Sequence, residues 1–207
     1  MGFFDRNRRN LEKLGYDPAR LPAGQYLTER FPVLHAGDVP SYDDLSTWTL
    51  AITGAVAEPV TLTWDELQAM PQVDITLDIH CVTKWSKFDT GWRGVRVADL
   101  LERAGGVATG GSHLLAHAEY GYTANVPLED VLLDEAIVAH RFEGEPLAPE
   151  HGYPARLIVP RLYFWKSAKW LRGLEVLTAD QPGFWERNGY HMYGDPWREQ
   201  RFWEGRP

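Results

Sequence analysis

Apolar and polar residues alternate along several short stretches of this chain. Trp48, Leu50 and Ile52 interleave with Thr47, Thr49, Ala51 and Thr53 before Gly54, which predicts a half-buried strand. Val73, Ile75, Leu77 and Ile79 interleave with Asp74, Thr76, Asp78 and His80, so a second strand with one buried face is expected there. Cys81 has the parity of the apolar set, which puts its sulfur on the inner face where that strand ends. A polar, aromatic loop over residues 82–89 is expected to follow. Further strands are expected at His113–Ala118, Ala136–Phe142, Ala155–Val159 and Trp170–Leu177, with Glu143-Gly144 as a hairpin turn. Thr63-Trp-Asp-Glu66 has the spacing of a capping box and predicts a short helix to about Met70, before Pro71. Val97, Leu100, Leu101 and Ala104 share a helical face that Gly105-Gly106 ends. Strands outnumber helices and do not alternate regularly with long ones. The fold class expected is α+β, with a mixed, mostly antiparallel sheet and short helices.

The chain has 207 residues, enough for one domain with arms. The division expected is an arm over 1–46 with a short helix around Arg8–Leu14, a domain over 47–178, and an aromatic-rich C-terminal arm over 179–207 packed on that domain. A formal charge of −8 argues against a dedicated nucleic-acid binder. No apolar run is long enough to span a bilayer, so no integral membrane segment is expected. Arg6, Arg8 and Arg9 sit beside Phe3 and Phe4, but no apolar stretch follows them, which makes a poor secretory signal and suggests a cytoplasmic protein.

Cys81 is the single cysteine, so no intrachain disulfide, Cys₄ zinc site or iron–sulfur cluster can form from it. A free buried cysteine is usually a small hydrophobe. The neighbours His80, Lys84 and Lys87 are basic, which would favour thiolate, and the strand end is a common place for a site. Two roles stay open on these grounds: a nucleophile with His80 or His117 as base, or the one protein sulfur of a metal whose other ligands come from elsewhere. His113 and His117 are four apart but fall in an expected strand, where such residues do not converge on one ion.

The stretch from His80-Cys-Val-Thr-Lys-Trp-Ser-Lys through Trp92-Arg-Gly-Val95 to Leu100-Leu101 resembles the cysteine loop of the sulfite oxidase and methionine sulfoxide reductase molybdoenzymes. In that family a Trp-x-Gly-Val turn leads into a helix. Phe31 and His35, Gly121-Tyr-Thr-Ala-Asn-Val-Pro127, His151-Gly-Tyr-Pro-Ala-Arg-Leu-Ile-Val-Pro160 and Lys166-Ser-Ala-Lys-Trp-Leu171 follow the family's order. The resemblance covers about residues 30–178. It implies a sulfite oxidase-like molybdopterin-binding fold and one molybdenum–molybdopterin cofactor, with Cys81 as metal ligand and catalytic residue. It further implies that Arg156, His151, Ser167, Ala168 and Lys169 hold the cofactor tail, with His35 and His117 reaching it from the other side. A phosphate suits such donors, and arginine best of all, because its planar fork matches the oxygens. Tyr122 would hydrogen-bond a substrate oxygen, while Trp85 and Lys84 would line the mouth.

The resemblance is uneven where it bears on substrate. Sulfite oxidases carry a Cys-x-Gly-Asn-Arg loop, whereas Cys81 is followed by Val82-Thr-Lys-Trp-Ser86, and Val33 stands where the family has a further arginine. Lys84 is the candidate replacement. The loop is closer to the methionine sulfoxide reductase branch. The implied activity is oxygen-atom transfer with a small-molecule substrate: a sulfoxide, an N-oxide or a sulfite-like species. The sequence holds no Cys-x-x-Cys-His haem motif, and thirty residues follow Leu177. Electrons are therefore expected to pass to or from a separate haem or flavin protein. A non-catalytic cofactor-binding module and a cysteine hydrolase are the competing readings. The last thirty residues are dense in aromatics, and Trp185, Tyr190 and Trp197 are candidates for a wall of the site.

Overall fold

The computed structural model describes residues 11–203. The basic start, with Phe3 to Arg9, and the first part of the helix expected over Arg8–Leu14 lie outside the described residues; Leu11–Lys13 are helical. Eleven strands are described: β1 (Tyr26–Leu27), β2 (Thr49–Gly54), β3 (Val60–Thr63), β4 (Val73–His80), β5 (Trp85–Arg96), β6 (His113–Ala118), β7 (Thr123–Pro127), β8 (Ile137–Phe142), β9 (Glu145–Pro146), β10 (Arg156–Ile158) and β11 (Leu171–Leu177). They form two mixed sheets. The first runs β1-β5-β8-β10, with β4 also on β5 and β9 on β8, and only β1–β5 is parallel. The second runs β3-β2-β11-β6-β7, and only β2–β11 is parallel.

The helices are short, and two of them follow their sequence signals. Trp64–Ala69 starts at a complete capping box, with Thr63 and Glu66 bonding reciprocally. Val97–Arg103 buries Val97, Leu100 and Leu101. These residues join Leu50, Ile52, Val95, Leu114, Val138, Leu157 and Leu174 in one core, so both sheets pack on it. The other face of the first sheet carries a second cluster that includes Ile79, Cys81, Trp85, Trp92 and Ile158. The parity of Cys81 with β4's apolar set thus places it in a packed layer, at the strand's end.

One expectation needs correction. The segment after Cys81 is not a loop to residue 89. The turn is tight: Cys81 N–H donates to Trp85 O at 2.8 Å and Lys84 N–H to Cys81 O at 3.0 Å. Strand β5 then runs twelve residues, and Trp92-Arg-Gly-Val95 lies inside it, not at a turn. Polar residues hid this strand. β4 pairs along one edge of it, and β1 and β8 along the other, so its backbone is satisfied whatever the side chains prefer.

Gly94 sits where the β5–β8 register shifts. A Cβ there would lie 2.1 Å from Val138 O and 2.7 Å from Ala139 Cα. Gly94→Ala should therefore force two central strands apart and cost about 3 kcal/mol, measurable by denaturant unfolding. A change under about 0.5 kcal/mol would contradict this close approach.

Burial sets the response to acid. His80 and His140 are buried, and desolvation pulls each imidazole down to about 4. Each stays neutral in the fold but takes a proton in the unfolded chain near 6.5. Stability is therefore full above about pH 6.5 and falls as pH drops towards 4, by roughly 2 kcal/mol per pH unit for the pair near pH 5. Thermal melting at pH 7.5 and pH 5 should show it; equal midpoints would contradict it.

Candidate active site

One cavity of about 430 Å³ opens beside the second cluster. Four regions of the chain wall it: residues 31–37, the turn from Cys81 to Trp85, residues 119–122, and residues 151–170, with the C-terminal residues Phe184, Trp185 and Tyr190 closing it. The sequence-predicted residues Cys81, Trp85, Tyr122, His35, His151, Arg156, Ser167, Ala168 and Lys169 all line it. Lys84 and His117 do not.

At one end stands Cys81, 8% exposed, with Thr83 Oγ1 at 3.2 Å from its sulfur. Burial pushes the thiol up, against the weaker pull of the Thr83 hydrogen bond and the charge of Arg201. Without a metal it is therefore a thiol, and a cation that binds it displaces the proton. The basic neighbours read from the sequence are not the cause of any acidity. Lys84 is exposed, with φ of 80°, and Lys87 donates its amine to Glu29 O. The nearby cation is Arg201, which donates to Val82 O at 2.9 Å and lies 119 residues from it, too far along the chain for any local pattern to reveal. Trp85 and the half-buried rings of Trp185 and Tyr190 complete this end.

Elsewhere in the lining, Arg156 is 2% exposed, and its guanidinium pairs with no carboxylate among the described residues. It donates to His151 O at 2.9 Å and Ser167 O at 2.8 Å and lies over the Phe164 ring at 4.2 Å. Desolvation pulls it down to about 9, so it remains a cation at neutral pH. Lys169 donates to Leu34 O and Glu150 O at 2.9 and 2.8 Å. Burial, followed by the charge of Arg156, pulls it down to about 7. His151 stacks on Phe31 at 3.9 Å and is drawn down to about 4 by burial and by Arg156. His35 bonds Gly37 O and meets the Trp170 edge. Arg156, buried with no ion pair, and half-buried Lys169, with only the charge of Glu150 to offset its burial, are costly unless an anion completes them.

The remaining candidates fall elsewhere. His117 lies on β6 in the second sheet, where its ring bonds Glu175 at 2.8 Å; strand parity turned it away from the cavity. His80 bonds Ser86 at 2.8 Å and packs against Trp197, so neither histidine weighed as a base for Cys81 shares its cavity. Trp197 therefore also lies off the site. Tyr122 does line it, but its hydroxyl donates to Trp165 O at 2.8 Å and burial raises it. Arg201 and the buried pair of Lys166 with Glu186, whose partner atoms are 2.6 Å apart, carry no local signal in the sequence. Both rest on contacts across distant segments. Among the described residues no three His, Cys, Asp or Glu side chains gather on a metal-sized site.

Comparison with known proteins fits this arrangement. Residues 36–185 match the family described as oxidoreductase molybdopterin binding domain. This chain belongs to that family. It is 51% identical over 183 residues to the uncharacterized oxidoreductase YuiH of Bacillus subtilis, covering 88% of this chain and 92% of that one. It is 26% identical to a sulfite oxidase of Arabidopsis thaliana, covering 76% of this chain and 49% of the relative. The sulfane dehydrogenase SoxCD of Paracoccus pantotrophus superposes with a TM-score of 0.65 at 25% identity, over 75% of this chain and 43% of that one.

The protein is a molybdenum-dependent oxidoreductase with a molybdopterin cofactor. The cavity suits such a group. It offers a single protein sulfur, which fits a metal that brings its other sulfurs with the pterin. Elsewhere in its lining it offers Arg156, buried and without an ion pair, and Lys169 beside it, which fit a phosphate. Among the described residues no helix is long and apolar enough to cross a membrane.

Proposed function

We propose that this enzyme moves one oxygen atom to or from a small neutral substrate, a sulfoxide or N-oxide, and exchanges electrons with a separate haem or flavin protein. In the reducing direction a sulfoxide takes two electrons and two protons and yields a thioether and water. The cofactor, when bound, supplies the two-electron oxygen transfer. The chain's residues do the rest. Cys81 would hold the metal. Arg156, Lys169 and His151, with the backbone at Ser167 and Ala168, would hold the phosphate tail. Tyr122, tied to the Trp165 carbonyl, keeps its ring fixed against the cavity, and the rings of Trp85 and Trp165 exclude water.

The observation that carries the substrate reading is the distribution of charge. The cations lining the cavity, Arg156 and Lys169, cluster with His151, among the residues assigned to the phosphate. The Cys81 end is lined by aromatic rings, and Arg201 points its fork at backbone carbonyls of Val82 and Ala23. A sulfite or nitrate ion needs charged donors at the reacting centre, whereas a neutral oxide does not.

Protein from a cofactor-competent host should carry stoichiometric molybdenum. It should oxidise a reduced viologen dye with dimethyl sulfoxide or trimethylamine N-oxide and show no sulfite-dependent ferricyanide reduction. Turnover with sulfite and none with the neutral oxides would reverse the substrate assignment. Bound molybdenum that answers neither dithionite nor oxidants would mark a non-catalytic module.

A further inference from the structure

We propose that residues Phe184 to Tyr190 form a size-selecting wall over the Cys81 end of the cavity, that Trp185 sets the largest substituent admitted, and that Glu186 is the positioning residue that holds the wall. This deepens the oxygen-transfer reading and rests on it for the choice of substrates.

The wall is a corner of rings. Trp185 stacks on Tyr190 with centroids 4.7 Å apart and planes 22° apart. Tyr190 in turn meets the Trp165 ring at 5.1 Å and 84°, and all three line the cavity. A cavity of about 430 Å³ must hold both the pyranopterin and the substrate, and a drug-sized ligand alone occupies such a volume. The space left at the sulfur is therefore small, and the half-buried indole of Trp185 forms part of its boundary together with Trp85 and Tyr190.

The wall has no slack. The side chains of Lys166 and Glu186 are both 0% exposed, and Lys166 Nζ also donates to Asn125 Oδ1 and Met192 O. Glu186 Oε1 accepts the Trp165 indole N–H at 2.7 Å. One carboxylate thus fixes a cavity ring through its oxygen and, through its own backbone, the adjacent Trp185. A buried ion pair adds little net stability over apolar residues of the same volume, but losing one partner is severe, so its effect is to fix position. The entry is pressed equally close: a Cβ on Gly183 would lie 2.6 Å from Glu186 Oε2 and 2.7 Å from Thr123 O. Within the wall Tyr190 N–H donates to Trp185 O, and from beyond it Trp203 N–H donates to Gly189 O. Tyr190 also bridges to Phe202. These contacts brace both flanks of the wall against swinging aside for a bulky group.

The test compares molybdenum-loaded full-length wild type, Trp185→Ala and Glu186→Gln. The quantity read is kcat/KM for methyl phenyl sulfoxide divided by that for dimethyl sulfoxide. Trp185→Ala should raise this ratio roughly tenfold or more. Glu186→Gln keeps an acceptor for the Trp165 indole but leaves Lys166 without its counter-charge. It should move the ratio the same way, through KM for the phenyl substrate rather than through kcat. A second measurement uses the full chain prepared without cofactor: the rate of Cys81 alkylation by N-phenylmaleimide divided by that by iodoacetamide. Trp185→Ala should raise this ratio by a similar factor. Where wild type turns over, a kinetic ratio that moves less than about twofold in Trp185→Ala overturns the wall. Where wild type reduces neither sulfoxide, the oxygen-transfer reading falls and the alkylation ratio alone decides the wall, by the same limit.

Discussion

Cys81→Ser is expected to leave the fold intact and to remove turnover. The residue is packed with Ile79 and Trp85, and its sulfur touches one polar partner, Thr83, to which a serine hydroxyl bonds equally well. The melting temperature should therefore shift by only a few degrees, roughly what 1 kcal/mol moves in a domain of this size. The chemistry does not survive the exchange. A thiol gives up its proton to a metal near neutral pH, while a hydroxyl is far less acidic and a poor ligand for a soft site. Loss of even an outer hydrogen-bond partner of a metal ligand costs 10–100-fold. Loss of the ligand should therefore lower kcat with dimethyl sulfoxide by roughly a hundredfold or more. Dye-linked kinetics and elemental analysis on the same preparation check this. A serine variant with wild-type kcat would end the assignment of Cys81 to the metal.

The second large effect is confined to the loaded protein. Arg156→Met takes a buried cation without an acid partner out of the cavity and puts a side chain of similar length over Phe164. Without cofactor, losing the desolvated charge stabilises the chain, while the carbonyls of His151 and Ser167 lose their donor. The two terms nearly cancel, so the unfolding midpoint should stay within about 1 kcal/mol of wild type. With cofactor, each hydrogen bond from the guanidinium to a phosphate contributes about 1.5–3 kcal/mol, so two of them are worth on the order of a hundredfold or more in affinity. Molybdenum should then leave the variant during gel filtration. Full retention would place the phosphate elsewhere; strong destabilisation of the unloaded chain would make Arg156 a purely structural residue.

The sequence was informative where a residue's surroundings are local. Period two located β4, and with it the side of the sheet that Cys81 faces. The capping box at Thr63 and the glycine pair after Ala104 bounded their helices. The motif around His151 and Arg156 placed both on one cavity. What stayed hidden depends on contacts made across the fold. Strand β5 reads as a loop because its polar residues are tolerated only between paired neighbours. Gly94 looks like a turn residue, but it is small because β8 passes against it. His117 follows the family order, yet its strand faces Glu175. Lys166 stands in the same motif as Lys169, twenty residues before the carboxylate that neutralises it, and no periodicity links the two.

The turn that carries Cys81 is held from both directions along the chain. Tyr26 N–H donates to Lys84 O on one side, and Arg201 grips Val82 O and Ala23 O on the other. The last of these contacts joins residues 178 positions apart. No contiguous fragment much shorter than the whole can enclose the cofactor. Contacts of such separation form late, after the loops between them have closed. During synthesis the cysteine turn emerges with half its frame missing, and the chamber is finished only after residue 201 has left the ribosome.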